Sequence, residues 1–284
     1  MEIILFSKFL KDHNTEDLIK RAQELGIEGY DLCVRPGHLV NPDNADKKLP
    51  ELTRALAGEG LSIPMVTGNF DLLTPDHPTA EPILSAMDKA DIRLLKPGYF
   101  KIDPEKEKYW DKVKEIRDIL KQWESLAQKY NVKICYHTHS GENFMGLNCS
   151  ALMHLLKDLN SDYIGAYIDP GHMLIDGEPL SLGLAMVKKY LSIVAVKDPY
   201  IYREEVENEI DLKQGKAERE FRQAGQGMVP WVEVMKELKR INYEGPLSVH
   251  GEYEISERKE YLKSLKSEVA YFKKVRDYVM SNNI

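Results

Sequence analysis

Short apolar segments alternate with helical patterns along almost the whole chain of 284 residues. Eight of these segments are typical of buried strands, and helical apolar spacing such as that of residues 113–127 separates them. Strands that alternate with helices pair in parallel, because every crossover must return the chain to the same end of the sheet. Eight such units in a chain of this length predict an α/β fold, a (β/α)8 TIM barrel.

An open, doubly wound sheet is the alternative architecture for the same alternation. Such sheets often carry a Gly-x-Gly-x-x-Gly loop directly after a strand, and this sequence contains no such loop. No stretch rich in proline, glycine or serine divides the sequence either. Residues 1–284 are therefore predicted to form a single barrel domain.

Charge and composition narrow the class of protein. The net charge of −7 argues against a nucleic-acid partner, because proteins that bind phosphate backbones usually present a basic face. No run of roughly 18 apolar residues is present, so we expect no membrane-spanning helix. The first residues lack a basic segment followed by a long apolar core, and the three cysteines are expected to be buried free thiols. Both features indicate the cytoplasm.

Polar residues gather where the predicted strands end. In a barrel of this kind, function collects at the carboxyl ends of the strands. Five of the eight histidines lie there, whereas chance would scatter them over helices and loops. The residues at these ends are Arg35, His38, Asn69, Lys96, His137, His139, Asp169, His172, Lys197, Asp198, His250 and Glu252. We therefore expect a functional site at the barrel mouth.

Spacing within two of the strand ends supports this expectation. Residues two apart in a strand point to the same side, so His137 and His139 can face the barrel mouth together. The same spacing applies to His250 and Glu252. Two neighbouring imidazoles need polar partners if they are buried, since burial without partners is costly. Such pairs favour a site over a purely structural role.

Asp169 ends the predicted strand at residues 164–168, and His172 follows three residues later. A carboxylate and an imidazole at one strand end can hold a divalent metal or transfer protons. Alternatively, Asp169 caps the next helix and His172 lies at the surface. Lys197 and Asp198 likewise could belong to the functional site or form only a buried ion pair.

One segment between predicted strands is unusually long. Residues 199–227 show no strand pattern, and they carry many charges of both signs. A long loop on the active face of a barrel is often a lid or a binding element. The alternative is a solvated helical insertion.

Six stretches carry a resemblance to a known family: residues 29–38, 135–141, 167–172, 194–198, 225–231 and 245–252. Their order and spacing resemble the xylose-isomerase-like TIM barrel superfamily, in particular its inosose-dehydratase-like branch. The superfamily holds sugar isomerases, ketose 3-epimerases, inosose dehydratases and apurinic-site endonucleases, and its members often form homo-oligomers. The acidic charge makes an endonuclease the least suitable of these activities.

The resemblance also implies a divalent metal, bound by Glu, Asp, His and Glu at the ends of strands five to eight. In this chain the Asp is Asp169, whereas His137 and His250 stand where the family has Glu. Ala195 stands where the family has His. A set of His137, Asp169 and His250 could hold Mn, Co, Zn or Fe, because imidazole and carboxylate both suit these ions.

These observations predict an enzyme that acts on a small carbohydrate, a keto-sugar or a polyol-derived ketone. The reaction would be isomerisation or epimerisation by proton abstraction next to the carbonyl. The alternatives are a lyase similar to inosose dehydratase and a sugar-binding barrel without turnover. The candidate residues are, for catalysis, His139, Lys197 and Glu252; for substrate binding, Arg35, His38, His172 and Asp198; and for the metal, His137, Asp169 and His250.

Overall fold

A closed barrel of eight parallel strands forms the centre of the molecule. The computed structural model describes residues 1–207 and 213–282. The barrel strands are β1 (Ile3–Phe6), β2 (Gly29–Cys33), β3 (Ser62–Thr67), β4 (Leu94–Lys96), β5 (Lys133–His137), β6 (Ile164–Ile168), β7 (Leu191–Val196) and β10 (Leu247–Val249). Their order around the ring is β1-β10-β7-β6-β5-β4-β3-β2. Because each of the eight barrel strands pairs with two neighbours, the sheet has no edge and is closed, which confirms the predicted TIM barrel and excludes the open sheet.

Helices surround the barrel and connect its strands. They are α1 (Thr15–Leu25), α2 (Ala45–Gly58), α3 (Ala80–Lys89), α4 (Tyr109–Lys129), α5 (Cys149–Leu156), α6 (Pro170–Ile175), α7 (Leu180–Val187), α8 (Trp231–Arg240) and α9 (Arg258–Ser281), with a 3-10 helix at Ser7–Leu10. The described helices include none that is long and apolar enough to cross a membrane.

The strand pleat divides the barrel into two apolar layers. Outward-facing strand residues pack with the helices, where Trp123, Trp231 and Phe272 are fully buried. Inward-facing residues form a second cluster inside the ring, which includes Tyr167 and Ala195. Because side chains alternate, a residue two positions after an inward-facing one again faces the barrel axis. This alternation directs the polar residues at the strand ends toward one mouth.

Free cysteines occur as expected. Cys33, Cys135 and Cys149 are buried and unpaired. Cys135 belongs to the inner apolar cluster of the barrel. Burial raises the pKa of each of these thiols, so all three are neutral packing groups.

The prediction that residues 199–227 contain no strand was wrong. Two strands, β8 (Asp198–Glu207) and β9 (Lys213–Arg222), pair antiparallel as a hairpin outside the barrel. Residues 208–212, which belong to the predicted lid, lie outside the described residues. A two-stranded ribbon is stabilised by cross-strand pairs and needs no continuous buried face, so its charged sequence lacks the apolar alternation of a core strand.

Candidate active site

Five ionisable side chains converge at the carboxyl ends of the barrel strands. They are His137, Asp169, His172, Lys197 and His250, and each is buried. Register places them together: His137 lies beside Tyr167 of the neighbouring strand, so Asp169 emerges just beyond it. On the other side, Val196 pairs with Val249, which places Lys197 level with His250. A cluster of buried ionisable groups at this end of a barrel is typical of an active site.

Asp169 serves two purposes at once. Its Oδ1 accepts hydrogen bonds from the backbone N–H groups of Gly171 at 2.9 Å and His172 at 3.3 Å, so it caps α6. A side chain at Gly171 would place Cβ 2.5 Å from the backbone oxygen of Lys197, so glycine permits this close approach. The second oxygen, Oδ2, faces the polar cluster. Burial raises the pKa of Asp169 to about 6, although Lys197 opposes this change.

The ammonium of Lys197 lies at the centre of the cluster. It is 2.8 Å from Oε2 of Glu252, 3.1 Å from Nε2 of His172 and 3.6 Å from Oδ2 of Asp169. Lys8 contacts the other oxygen of Glu252 at 3.1 Å. Burial alone would raise the pKa of Glu252, but the electrostatic effects of Lys197, His250 and Lys8 together outweigh burial, and the pKa lies below its ordinary value. Glu252 is therefore an ionised partner that holds the ammonium in place.

The hydrogen bonds of His172 define its tautomer. Lys197 donates to Nε2, so Nε2 carries no proton and Nδ1–H donates to Oγ of Ser140 at 2.7 Å. Burial and the charge of Lys197 hold the pKa of His172 well below its ordinary value. His172 is thus a neutral group whose two nitrogens are both engaged, and it positions Lys197.

His139 and His250 each offer an unprotonated nitrogen. Nδ1 of His139 donates to the backbone oxygen of Ser140 at 2.8 Å, which leaves Nε2 as an acceptor. Burial, assisted by Lys197, lowers the pKa of His139 to about 4 and holds that of His250 well below its ordinary value. Both imidazoles are therefore neutral near pH 7 and can accept a proton.

A buried hydroxyl network orients His250. Three hydroxyls donate to the carboxylate of Asp31 inside the barrel: Thr67 at 2.6 Å, Ser248 at 3.0 Å and Tyr167 at 3.1 Å. Burial raises the pKa of Asp31, and these hydroxyls act in the opposite direction. Because the Tyr167 proton is directed to Asp31, its oxygen accepts from Nε2–H of His250 at 2.8 Å. The second nitrogen of His250, Nδ1, is consequently bare, and it has no hydrogen-bond partner among the described residues.

The cluster borders a cavity of about 230 Å³ at the barrel mouth. Its lining residues are Phe6, Lys8, Arg35, Thr67, Phe70, Lys96, Tyr99, His139, Lys197, His250 and Glu252. Phe221 of the hairpin lies against the site, with its ring 5.9 Å from that of His172 and 5.7 Å from the Lys197 ammonium. The hairpin therefore contributes Phe221 to the boundary of the site.

Two of the residues predicted to bind substrate lie elsewhere. Asp198 accepts hydrogen bonds from the backbone N–H groups of Gly225, Gly227 and Val229 at 2.7, 3.1 and 2.9 Å. Its carboxylate thus anchors the chain that follows the hairpin. His38 is half-buried on the loop after β2 and does not line the cavity.

Several residues of the site were not predicted from the sequence. The hydroxyl of Tyr99 forms a hydrogen bond with Nδ1 of His137 at 2.5 Å. Inside the barrel, Tyr167 contacts His250 and is itself hydrogen-bonded to Asp31. The strand pleat offered one signal: Tyr167 is two residues before Asp169, so both face inward. No sequence pattern indicates Tyr99, because it lies in a loop after β4.

The arrangement does not fit the metal that the resemblance implies. Nε2 of His137 and Oδ2 of Asp169 are buried and lack hydrogen-bond partners within residues 1–207 and 213–282, and they lie 3.9 Å apart. His250 turns Nε2 toward Tyr167, and the ammonium of Lys197 lies beside Asp169. No group of three or more His, Cys, Asp or Glu residues in the described part of the chain is arranged to hold a metal ion. An adjacent ammonium also repels a divalent cation.

Comparison with known proteins places this geometry in context. An uncharacterised protein of Methanocaldococcus jannaschii is 24% identical over 295 residues, covering 95% of this chain and 92% of that protein. The inosose dehydratase of Clostridium perfringens is 30% identical over 146 residues, covering 49% of this chain and 47% of that enzyme. The second likeness thus spans about half of each protein.

Solved structures share the fold. The 3-keto-D-glucoside 4-epimerase of E. coli superposes with a TM-score of 0.72 at 16% identity, covering 96% of this chain and 99% of the epimerase. The IolI protein, solved with a bound zinc atom, superposes with a TM-score of 0.71 at 16% identity, covering 99% and 98%. At such identity the likeness shows the fold alone. The sequence pattern of the xylose isomerase-like TIM barrel family matches residues 19–274, and this chain belongs to that family.

Proposed function

We propose that this protein is an enzyme that removes a proton next to the carbonyl of a small keto-sugar or polyol-derived ketone and then returns it. The reaction is an isomerisation or an epimerisation. The observation that carries the proposal is the position of the Lys197 ammonium, which lies beside a cavity whose walls include the neutral imidazoles of His139 and His250. A cation and two bases around one cavity suit this chemistry.

Lys197 is the group that stabilises developing negative charge. Its ammonium has three N–H donors, and hydrogen bonds to Glu252 and His172 use two of them. The third can bind the carbonyl oxygen of the substrate, which becomes negative as the neighbouring proton leaves. Removal of one such donor typically lowers the rate about 10²- to 10³-fold. Glu252 and His172 hold the ammonium in place before the substrate arrives.

His139 and His250 are the proton-transfer groups. Each is neutral and presents a bare nitrogen, Nε2 in His139 and Nδ1 in His250. An imidazole that takes a proton from one carbon and delivers it to the next would isomerise the substrate, while the hydroxyl proton of the first carbon passes to the former carbonyl oxygen. In an epimerisation one neutral imidazole would remove the proton from one face of the carbon, and the other, after taking up a proton from water, would deliver it to the opposite face. Glu252 is a weaker base than either, because its salt bridges to Lys197 and Lys8 lower its pKa.

The divalent metal predicted at His137, Asp169 and His250 has no role in this proposal. No group of three or more His, Cys, Asp or Glu residues among the described residues is arranged to hold a metal ion, and Lys197 supplies the positive charge beside Asp169. The zinc atom is a feature of the IolI structure.

Hydrogen exchange tests the proposal directly. The full chain is incubated with candidate keto-sugars in D2O, and NMR detects deuterium at the carbon next to the carbonyl. We expect incorporation with the wild type and a loss of about 10²-fold or more in Lys197→Met. Lys236→Met, which changes a surface lysine on α8, is the matched control and should exchange normally. Binding of a keto-sugar with no exchange would indicate a sugar-binding barrel instead.

A lyase is the second candidate, because the matched half of the inosose dehydratase of Clostridium perfringens is 30% identical to this chain. A lyase starts with the same proton abstraction but then expels a β-hydroxyl as water. Mass spectrometry of the product separates the two reactions, since an isomer keeps the mass of the substrate and a dehydration product loses one water.

A further inference from the structure

Two buried cations at the cavity lack an acidic partner. Arg35 and Lys96 are 7% and 4% exposed, and both line the cavity. Nε of Arg35 donates to the backbone oxygen of Gly68 at 2.8 Å, and Nζ of Lys96 donates to that of Pro97 at 3.3 Å. The salt bridges within residues 1–207 and 213–282 include neither residue. Lys8 and Lys197, by contrast, both contact Glu252.

Aromatic rings hold these cations in position. The guanidinium of Arg35 lies 4.4 Å from the ring centre of Phe70 and 5.8 Å from that of Phe6. The ammonium of Lys96 lies 4.0 Å from the ring centre of Tyr99. Cation–π contacts of this kind fix a cation but leave its N–H groups free for another ligand. Arg35 in particular keeps both terminal nitrogens available, since only Nε is engaged with protein.

The buried carboxylate of Asp31 is already engaged by three hydroxyl groups and forms a salt bridge with neither cation. Asp31 attracts Lys96 electrostatically, but its two oxygens already accept from Thr67, Ser248 and Tyr167. A buried charge without an opposite charge beside it is costly, and two like charges near one another repel. Burial, assisted by the charge of Arg35, lowers the pKa of Lys96 to about 7. An anion between them would relieve both costs.

The barrel topology separates these cations from the reacting groups. Arg35 and Lys96 lie at the ends of β2 and β4, which are joined through β3 on one arc of the ring. His139, Lys197 and His250 follow β5, β7 and β10 on the other arc. A ligand in the cavity can thus contact the reacting groups at one end and the two cations at the other.

We propose that Arg35 and Lys96 form a subsite for an anionic group of the substrate, a phosphate ester or a carboxylate. This inference rests on the proposed function for the reaction, and on the two cations for the anion. Arginine binds both groups through two parallel hydrogen bonds, and a lysine adds a point charge. The substrate class is therefore an anionic keto-sugar, such as a sugar phosphate or a sugar acid.

Calorimetry on the full chain at pH 7 tests the subsite without turnover. The probes are inorganic phosphate and acetate. We expect wild-type protein to bind at least one of them, and Arg35→Met to bind it at least tenfold more weakly. Arg54→Met, which removes an exposed arginine on α2, should bind like the wild type. Equal affinities for the wild type and Arg35→Met, or no binding of either anion by the wild type, would overturn the subsite.

Additional variants protect this test against misfolding. Thermal unfolding shows whether Arg35→Met is folded. The anion affinities of Arg35→Lys and Lys96→Met are measured by calorimetry in the same way. Arg35→Lys keeps the charge but loses the planar pair of donors, so we expect an intermediate affinity. Lys96→Met should weaken binding as well. If Arg35→Met and Lys96→Met are both folded and both bind the anion like the wild type, the proposed subsite is wrong.

Deuterium exchange then distinguishes the subsite from the proposed reaction. Phosphorylated, carboxylated and neutral keto-sugars are compared, and the better anionic substrate identifies the group that the subsite takes. Anion binding that depends on Arg35, without exchange of any substrate, would support the subsite and refute the proposed function. Exchange that is equal for neutral and anionic substrates, in wild type and in Arg35→Met, would refute the subsite alone.

Discussion

The hydroxyl of Tyr167 lies 2.8 Å from Nε2 of His250, while it donates to the carboxylate of Asp31 at 3.1 Å. One hydroxyl thus connects a carboxylate buried inside the barrel with an imidazole at its mouth. This connection keeps the proton of His250 on Nε2 and leaves Nδ1 without a proton or a hydrogen-bond partner among the described residues. A second residue inside the barrel, Ser248, supports the same carboxylate. The interior of the barrel therefore sets the chemical state of a group at the site.

Tyr167→Phe should disturb the tautomer of His250. Without the hydroxyl, Nε2 loses its acceptor, so the proton can move to Nδ1 and block the base. We expect the rate to fall about tenfold or more, with a loss of roughly 1–3 kcal/mol of stability from the buried groups left without a partner. Nitrogen-15 NMR of the His250 ring measures the tautomer directly.

Tyr136→Phe is the matched control for that experiment. Tyr136 is an equally buried tyrosine in the neighbouring strand β5, but its hydroxyl bonds the backbone of Phe100 and Met145 at 2.8 and 3.2 Å. Its loss should affect stability and leave the His250 tautomer unchanged. If both variants shift the His250 signals equally, the hydroxyl of Tyr167 does not set the tautomer.

Phe221→Ala should weaken substrate binding. The ring of Phe221 lies against His172 and Lys197, so it helps to exclude water from the ammonium. We expect a several-fold higher KM with nearly unchanged thermal stability, because the hairpin lies outside the barrel core. Tyr202→Ala alters an exposed aromatic side chain on the partner strand of the hairpin and serves as the control. A KM that rises equally in both variants would argue against a specific role for Phe221.

Turnover should persist in the presence of a chelator. Lys197 already provides a positive charge beside Asp169, at 3.6 Å from Oδ2. We expect elemental analysis of the purified protein to find less than one divalent ion per chain, and added Mn, Co, Zn or Fe to leave the rate unchanged. If a chelator abolished activity and one of these ions restored it, the protein would need a metal ion, and His137 and Asp169 would be its candidate ligands.

Glu268 should make the protein less stable as pH rises. Burial raises the pKa of this carboxyl to about 8, from an ordinary value of 4.5, although the backbone N–H of Ala224 opposes the change. Between these values the folded state binds more protons than the unfolded state. Stability is therefore lost as pH rises from about 4.5 to about 8, by up to ~1.4 kcal/mol per pH unit.

Glu268→Gln removes this ionisation but keeps an oxygen for Ala224. Its free energy of unfolding, measured by urea at pH 5, 6.5 and 8, should change less with pH than that of the wild type. Glu260→Gln changes an exposed carboxyl on the same helix and should follow the wild type. An unaltered pH dependence in Glu268→Gln would show that other groups cause the loss.

The barrel and its functional end could be predicted because both rest on local patterns. Each strand is a short apolar run, and the ring closes because eight strands alternate with helices. All carboxyl ends of parallel strands leave the ring on one side, so residues such as Asp169, Lys197 and His250 could be assigned to the same mouth. The structure confirms that Asp169 caps α6, but the expectation that His172 then lies at the surface was wrong, because His172 is buried in the cluster that the second oxygen of Asp169 faces.

Other features carried no local signal. The hairpin of β8 and β9 is charged and lies outside the core, so it lacks the apolar alternation that indicates a strand. Asp198 follows Lys197 in the sequence, yet the pleat turns it away from the cluster and toward the backbone of residues 225–229. The adjacent charged residues Lys197 and Asp198 thus have different structural roles.

The sequence by itself determined the closed barrel and the set of polar residues at its mouth, because strand period and element order are properties of neighbouring residues. Only the tertiary structure decided which of these residues pair. Asp31 and Tyr167 are 136 residues apart, and Lys197 meets Glu252 and His172 from three different strand ends. Hydrogen-bond direction and burial depend on such contacts across the ring, and these contacts decide which nitrogens are bare and which cations lack a partner.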